Sequence, residues 1–180
     1  MKLVILDRDG VINEDSDECI KSADEWEPIP GSLEAIARLN QSGYHVAVVT
    51  NQSGISRGLF SIETLHEMHE KMSHLLQAHG GQIDTVSFCP HGPDDGCPCR
   101  KPSPGMLLQL AERLGIDLRG VPFVGDALRD IQAATQAGAT PFLVRTGKGG
   151  QTAQQRDALP AALQIFDDLA AFVDYQLAQE

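Results

Sequence analysis

Two carboxylates stand one residue apart in the segment Asp7-Arg8-Asp9-Gly10, and this pair is the first feature that could do chemistry. Carboxylates held so close repel each other, so the pair needs a cation or a shared proton. With a divalent cation present, one carboxylate could attack phosphorus while the other passes a proton. Taken alone, the segment could equally be a polar turn that ends a strand.

Two later segments could hold a phosphate against this pair. Thr50-Asn51-Gln52-Ser53-Gly54 gathers hydroxyl, amide and backbone N–H donors, and Arg57 follows shortly after it. Arg100 and Lys101 precede Pro102, so we expect both cations to lie on a loop. A lysine there could neutralise an attacking carboxylate and a phosphoryl oxygen together. The alternatives are a capped turn for the first segment and a solvated basic pair for the second.

The segment Val124-Gly125-Asp126 offers a carboxylate at the end of a predicted strand. Carboxylate oxygen is the ligand type that magnesium prefers, so Asp126 is a candidate metal ligand. Asp130 lies about one helical turn later and could orient a neighbouring side chain. Asp126 could instead be the N-cap of the following helix, or could serve in both roles.

Three of the four cysteines crowd into the segment 89–99. The two groups Cys89-x-His91 and Cys97-x-Cys99 together offer three thiolates and one imidazole, a donor set typical of tetrahedral structural zinc. Free thiols in a loop are the main alternative. Zinc with four protein ligands does no chemistry, so we expect it to shape the loop that leads into Arg100-Lys101. The remaining histidines, and Cys19, show no pattern of partners.

Short apolar runs alternate with helical patterns, which predicts an α/β fold with a doubly wound parallel sheet flanked by helices, in one domain over residues 1–180. The predicted strands are Leu3–Leu6, Val46–Val49, Val86–Cys89, Val121–Val124, Pro141–Val144 and Leu163–Phe166. The predicted helices are Leu33–Asn40, Ile62–His79, Pro104–Leu114, Leu128–Ala137 and Asp168–Leu177. We expect Ser61 to cap the second helix, Gly138 to end the fourth, and the polar stretch 151–156 to lie solvated on the surface. Such folds bind ligands at the carboxyl ends of their strands.

The chain has 180 residues and a formal net charge of −11. That charge disfavours a nucleic-acid partner, although a local cluster of Arg and Lys can still hold a small anionic substrate. Only four apolar residues, Leu3–Leu6, stand between Lys2 and Asp7, and no apolar run is long enough to span a bilayer. We therefore expect no membrane partner and a cytoplasmic location. We also expect a monomer, although no sequence feature bears on the oligomeric state.

Together these segments resemble the four motifs of the haloacid dehalogenase superfamily of phosphatases, which are Asp7-x-Asp9, Thr50, Lys101, and Gly125-Asp126 with Asp130. The segments 50–58 and 97–106 resemble more narrowly the heptose bisphosphate and histidinol phosphatases, and Val144–Gly149 resembles the heptose enzymes. The resemblance covers about residues 1–150. It implies a Rossmann-like fold, and magnesium-dependent hydrolysis of a phosphorylated sugar in the synthesis of nucleotide-activated heptose for lipopolysaccharide or related glycans. No long insertion stands between Asp9 and Thr50 or between Thr50 and Lys101, so we expect no cap domain.

The resemblance also implies a role for each matching residue. Asp7 would be the nucleophile, and Asp9 the general acid and base. Magnesium would be bound by Asp7, Asp126 and the backbone carbonyl of Asp9. The remaining implied roles are phosphoryl binding by Thr50 and Lys101, substrate contacts by Asn51, Arg57 and Arg100, orientation of Lys101 by Asp130, and zinc binding by Cys89, His91, Cys97 and Cys99. The chain departs from some relatives in having Ala127 after Asp126 and a short stretch between His91 and Cys97.

Three other functions compete with a heptose bisphosphate phosphatase. Histidinol-phosphate phosphatase is the second candidate, but Arg57 and Arg100 favour a substrate with two anionic groups. A receiver module that is phosphorylated on Asp without turnover shares the fold class. However, it does not explain Asp9 as a proton shuttle or the cysteine-rich loop. A polynucleotide 3′-phosphatase is disfavoured by the net charge of −11.

Overall fold

The computed structural model describes residues 1–180 and contains one six-stranded sheet in which all paired strands are parallel. The predicted fold class is therefore confirmed. Each predicted strand is present, with ends that differ from the prediction by at most two residues. The strands are β1 (Lys2–Leu6), β2 (Tyr44–Asn51), β3 (Thr85–Cys89), β4 (Pro122–Gly125), β5 (Thr140–Val144) and β6 (Gln164–Phe166).

The order of the strands places a topological switch point between β1 and β4. The order across the sheet is β3-β2-β1-β4-β5-β6, so the chain winds outward in one direction and then returns to the other side of β1. Leu6 pairs with Val48 on one side and with Val124 on the other. Asp7 follows directly, and its N–H donates to the Val124 carbonyl at 2.9 Å. Ligands of doubly wound sheets bind at such a point, outside the carboxyl ends of the strands.

Helices cover both faces of the sheet, which is why β1 is apolar on both sides. The helices are α1 (Ser32–Gln41), α2 (Ile62–Ala78), α3 (Gly105–Leu114), α4 (Leu128–Ala137), α5 (Gly149–Thr152) and α6 (Leu169–Ala178). Val4 and Leu6 belong to a core built with α1, α2 and α6, whereas Leu3 and Ile5 belong to a core built with α3 and α4. None of the helices combines the length and the apolar character needed to cross a lipid bilayer.

The predicted helix ends are confirmed for α2 and α4. Ser61 Oγ accepts a hydrogen bond from the Thr64 N–H at 3.1 Å, and Gly138 ends α4 with φ of 83°. The N-cap of α4 is Ala127 rather than Asp126. Asp130, in the first turn of the helix, accepts the Ala127 N–H at 3.0 Å, as the third helical residue does in a capping box.

The prediction of a solvated surface stretch over residues 151–156 is wrong in part. The segment begins inside α5, and Thr152 and Ala153 are buried. Burial of Thr152 is tolerated because its hydroxyl donates to the Asp126 carbonyl at 2.9 Å. Ala153 packs in a small cluster with Ile131 and Leu143. This segment therefore supports the backbone of a predicted site residue.

Candidate active site

Carboxylates from two parts of the chain meet at the carboxyl edge of the sheet. Asp7 follows β1, Asp126 follows β4, and Asp130 lies in the first turn of α4. One carboxylate oxygen from each of the three lies within 4.8 Å of the other two. All three residues are buried. The fold thus brings together acidic residues that are more than a hundred positions apart in the sequence.

Lys101 reaches this cluster from the loop between β3 and α3. Its Nζ lies 2.9 Å from Asp7 Oδ1 and 2.7 Å from Asp130 Oδ1, and it donates to the Val49 carbonyl at 2.9 Å. The Val49 carbonyl accepts one N–H of the ammonium group, and the two carboxylates lie at ion-pair distance from it. Burial alone would lower the pKa of Lys101, but the carboxylates of Asp130 and Asp7 raise it, so the ammonium stays charged.

The cluster carries more negative charge than Lys101 neutralises. Burial, together with the Asp130 carboxylate, raises the pKa of Asp7 to about 7, although Lys101 opposes the shift. Burial and the carboxylates of Asp130 and Asp7 raise the pKa of Asp126 to about 8. Asp7 Oδ2 and Asp126 Oδ1 accept no hydrogen bond. Two buried carboxylates with free oxygens are a donor set that fits magnesium.

Asp9 is held by hydrogen bonds to both of its oxygens. Oδ1 accepts from Arg8 Nε at 3.1 Å, Arg8 Nη2 at 2.8 Å and Asn13 Nδ2 at 2.8 Å, whereas Oδ2 accepts only from Gln52 Nε2, at 3.0 Å. Burial would raise the pKa of Asp9, but the Arg8 guanidinium and these hydrogen bonds hold it below its ordinary value. Asp9 is therefore a carboxylate in the absence of substrate.

The end of β2 contributes Thr50 and Asn51. Thr50 is buried, and its Oγ1 accepts from Gln52 Nε2 at 3.0 Å. The Asn51 amide bridges to the backbone of Lys101, donating to its carbonyl and accepting its N–H, each at 3.0 Å. Sequence reasoning did not find this bridge. Asn51 thus fixes the position of Lys101, and its predicted contact with substrate stays a prediction.

Two glycines allow the backbone to approach Asp126 closely. A Cβ at Gly10, where φ is +82°, would lie 2.0 Å from Asp126 Oδ2, and one at Gly147, where φ is +57°, would lie 2.3 Å away. The N–H of Lys148 donates to the same oxygen at 2.8 Å. The carboxylate of Asp126 is therefore fixed by contacts that no larger residue at these two positions would allow.

A cleft of about 190 Å³ opens beside Asp7 and Asp9. Arg57 and Arg100, the two arginines predicted to contact substrate, both line it. Arg100 Nη1 also donates to the His91 carbonyl at 3.2 Å, which ties it to the cysteine-rich loop.

The cysteine-rich loop gathers its four candidate ligands in one place. Cys89 Sγ lies 3.0 Å from Cys99 Sγ and 3.6 Å from Cys97 Sγ, and His91 Nδ1 lies 3.3 Å from Cys99 Sγ. All four ligand atoms lie within 4.8 Å of one another, and none of the cysteines forms a disulfide. Sulfurs that share a tetrahedral zinc are about 3.8 Å apart. This cluster could therefore bind zinc.

Comparison with known proteins agrees with the geometry. Residues 4–79 match the haloacid dehalogenase-like hydrolase family, and residues 98–172 match the HAD-hydrolase-like family. A Bordetella bronchiseptica protein named D-glycero-beta-D-manno-heptose-1,7-bisphosphate 7-phosphatase is 56% identical over 180 residues, which cover 100% of this chain and 99% of the relative. The chain belongs to the haloacid dehalogenase-like hydrolases. A Pseudomonas aeruginosa relative of the same name is 56% identical over 169 residues, 94% of each chain.

A solved structure shows the same architecture as this haloacid dehalogenase-like hydrolase. It is the crystal structure of D,D-heptose 1,7-bisphosphate phosphatase from B. bronchiseptica, complexed with magnesium and phosphate. The two chains superpose with a TM-score of 0.98 at 54% identity, and the match covers 100% of both. The superfamily predicted from the sequence is therefore confirmed.

Sequence reasoning about this haloacid dehalogenase-like hydrolase missed Arg129, which also lines the cleft and whose buried Nε has no hydrogen-bond partner. Its position, directly before Asp130 in the first turn of α4, was the available signal. Sequence reasoning also assigned no role to Lys148 or to the side chain of Gln52. Their contacts with Asp126 and Asp9 depend on loop conformations that spacing does not reveal.

Proposed function

We propose that this chain is a magnesium-dependent phosphatase that removes the 7-phosphate of D-glycero-β-D-manno-heptose 1,7-bisphosphate through a phospho-aspartate on Asp7. One observation carries the proposal, namely that Lys101 holds the Asp7 carboxylate at 2.9 Å beside an open cleft. A carboxylate at such a position is a suitable nucleophile, because the ammonium also attracts the phosphoryl group that it attacks. The substrate is inferred from the full-length relatives, which are named for this reaction.

In the first step, an Asp7 carboxylate oxygen forms a bond to phosphorus while the bond from phosphorus to the C7 oxygen breaks. Asp9 gives a proton to that leaving oxygen. The approach of an anionic phosphate raises the pKa of Asp9, so that Asp9 carries this proton in the complex. Thr50 and Lys101 hold the phosphoryl oxygens. Magnesium, when bound by Asp7, Asp126 and the backbone carbonyl of Asp9, supplies positive charge to the transferring group.

In the second step, water attacks the phospho-aspartate. Asp9, now a carboxylate, takes a proton from the water, and the bond between phosphorus and the Asp7 oxygen breaks. Inorganic phosphate leaves, and Asp7 is restored. Asp130 supports both steps by orienting Lys101, from which it lies 2.7 Å away.

Arg57 and Arg100 would bind the phosphate that is not transferred, with Asn51 beside them. Both arginines line the cleft that contains Asp7. Arg100 also lines an adjacent cavity of about 470 Å³, whose walls include Lys101 and Arg129 but no acidic residue. In a chain with a net charge of −11, a cavity beside the cleft that is lined by cations and by no carboxylate supports a substrate with two phosphates.

We also propose that Cys89, His91, Cys97 and Cys99 bind one structural zinc ion. Thiolates favour zinc, whereas the oxygens of Asp7 and Asp126 favour magnesium, so the two sites would not exchange metals. Four protein ligands leave no position for a reactive water. Zinc would instead hold the loop that presents Arg100 and Lys101.

The test compares phosphate release from the β and α anomers of the heptose 1,7-bisphosphate and from histidinol phosphate, with magnesium present. The account predicts the highest kcat/KM for a heptose bisphosphate, and for its β anomer. A higher kcat/KM for histidinol phosphate would contradict the proposed substrate. Stoichiometric phosphorylation without turnover of any substrate would instead indicate a receiver module. Asp7→Asn, prepared in parallel, reports any contaminating phosphatase.

A further inference from the structure

Arg8 lies between the two catalytic aspartates in the sequence, yet its side chain points into the protein and is fully buried. A buried guanidinium is costly unless its N–H groups have partners. Two of its nitrogens, Nε and Nη2, donate to Asp9 Oδ1. The Arg8 side chain therefore contacts Asp9 from the protein interior, since Asp9 lines the cleft and Arg8 does not.

The third nitrogen of Arg8 turns towards α2. Arg8 Nη1 lies 3.1 Å from His69 Nε2 and 3.7 Å from the Met68 sulfur. A guanidinium has no acceptor, so His69 Nε2 must accept this hydrogen bond. The imidazole is then neutral, with its proton on Nδ1. Burial and the nearby Arg8 lower the pKa of His69 to about 4, which agrees with this assignment.

We infer that His69 is a positioning residue which, through Arg8, fixes the carboxylate of Asp9 by its Oδ1 and so sets where Oδ2 lies. The inference rests on the proposed function, in which Asp9 is the general acid and base. Oδ1 accepts three hydrogen bonds and is the anchored oxygen, whereas Oδ2 accepts one and has room for a proton. His69 orients the guanidinium group of Arg8, and this group in turn orients the Asp9 carboxylate and its Oδ2.

The test uses the difference between two leaving groups. The sugar alkoxide needs a proton as it leaves, whereas 4-nitrophenolate leaves without one. The ratio kcat/KM reports the steps up to departure of the leaving group. Misplacement of Oδ2 should therefore lower kcat/KM for the sugar phosphate and leave that for the aryl phosphate nearly unchanged. We expect His69→Leu to lower kcat/KM for the heptose bisphosphate by roughly 10-fold or more, and that for 4-nitrophenyl phosphate by less than about 3-fold.

Rescue by an amide separates positioning from packing. His69→Gln keeps a neutral acceptor that can reach Arg8 Nη1 and should recover most of the loss. His69→Asn offers the same amide on a shorter side chain and should not. This pair gives the same comparison if His69→Leu fails to fold. His74→Leu, a matching change at an exposed histidine of α2, serves as the control.

Equal losses on both substrates, no loss in His69→Leu or His69→Asn, or no difference between His69→Gln and His69→Asn would overturn the inference. Failure of the proposed function is a separate result, visible when the wild type does not hydrolyse the heptose bisphosphate. The comparison then uses histidinol phosphate, whose alkoxide also needs a proton. A wild type that hydrolyses only the aryl ester would overturn both.

Discussion

The surroundings of Asp7 account for its proposed role at the level of single atoms. One carboxylate oxygen is held by Lys101 and by the Arg8 N–H, at 2.9 and 2.7 Å, while the other accepts no hydrogen bond. The free oxygen is the one available to a ligand such as magnesium. A nucleophile fixed in this way loses little freedom when the substrate arrives, which is a main source of catalytic advantage.

Asp7→Asn should lower steady-state turnover by at least about 10⁴-fold, because an amide cannot form the phospho-enzyme. The fold should survive, since Asn has the same size and removes a carboxylate that burial and Asp130 already disfavour. Phosphate release measured beside thermal unfolding checks both expectations. Hydrolysis above the level of the purification background would contradict the assignment of the nucleophile.

Arg100→Ala should lower kcat/KM for the heptose 1,7-bisphosphate by about 10- to 100-fold more than for heptose 7-phosphate. A charge-assisted contact with the retained phosphate is worth roughly 1.5–3 kcal/mol, and the monophosphate lacks that group. Arg57→Ala should behave in the same way. Arg119→Ala, at an exposed arginine paired with Asp117, is the control. Equal losses for the two substrates would show that Arg100 does not bind the retained phosphate.

At the scale of elements, the cysteine-rich loop joins β3 to the residues that approach Asp7. Cys89 ends β3, and Arg100 and Lys101 follow Cys99 directly. Asn51 fixes the same loop from β2 through the Lys101 backbone. Two independent attachments therefore position the backbone of Lys101, and zinc would strengthen only one of them.

Cys97→Ser should lower the zinc content from one ion per chain and weaken substrate binding, while most of the cooperative unfolding transition survives. The transition survives because the larger core lies against α1, α2 and α6, on the opposite face of the sheet. Elemental analysis of protein purified under reducing conditions gives the zinc content. Cys19→Ser, outside the cluster, should keep its zinc. Full activity of zinc-free Cys97→Ser would refute the supporting role of the metal.

At the scale of the whole molecule, the sequence was most informative where polar side chains stand at the carboxyl end of a predicted strand. Asp7, Thr50 and Asp126 could be assigned to one site because the carboxyl ends of parallel strands lie at one edge. The hydrophobic pattern predicted all six strands, since buried parallel strands are short apolar runs between helices. These predictions needed only local patterns and one topological rule.

The contacts that the sequence did not reveal depend on how elements pack. The Arg8–His69 contact joins residues 61 positions apart, and it exists because α2 packs on the same core as β1, with Met68 buried next to His69. The approach of the Lys148 N–H to Asp126 depends on the backbone conformation at Gly147. Neither hydrophobic periodicity nor motif spacing carries information about such geometry.

The most direct test of the account follows both phosphates of one substrate by ³¹P NMR. The heptose 1,7-bisphosphate is incubated with wild-type protein and magnesium, with Asp7→Asn as the control. We predict that the signal of the 7-phosphate disappears, that one equivalent of inorganic phosphate appears, and that the signal of the 1-phosphate persists. Loss of the 1-phosphate instead, or an unchanged spectrum after prolonged incubation, would contradict the proposed reaction.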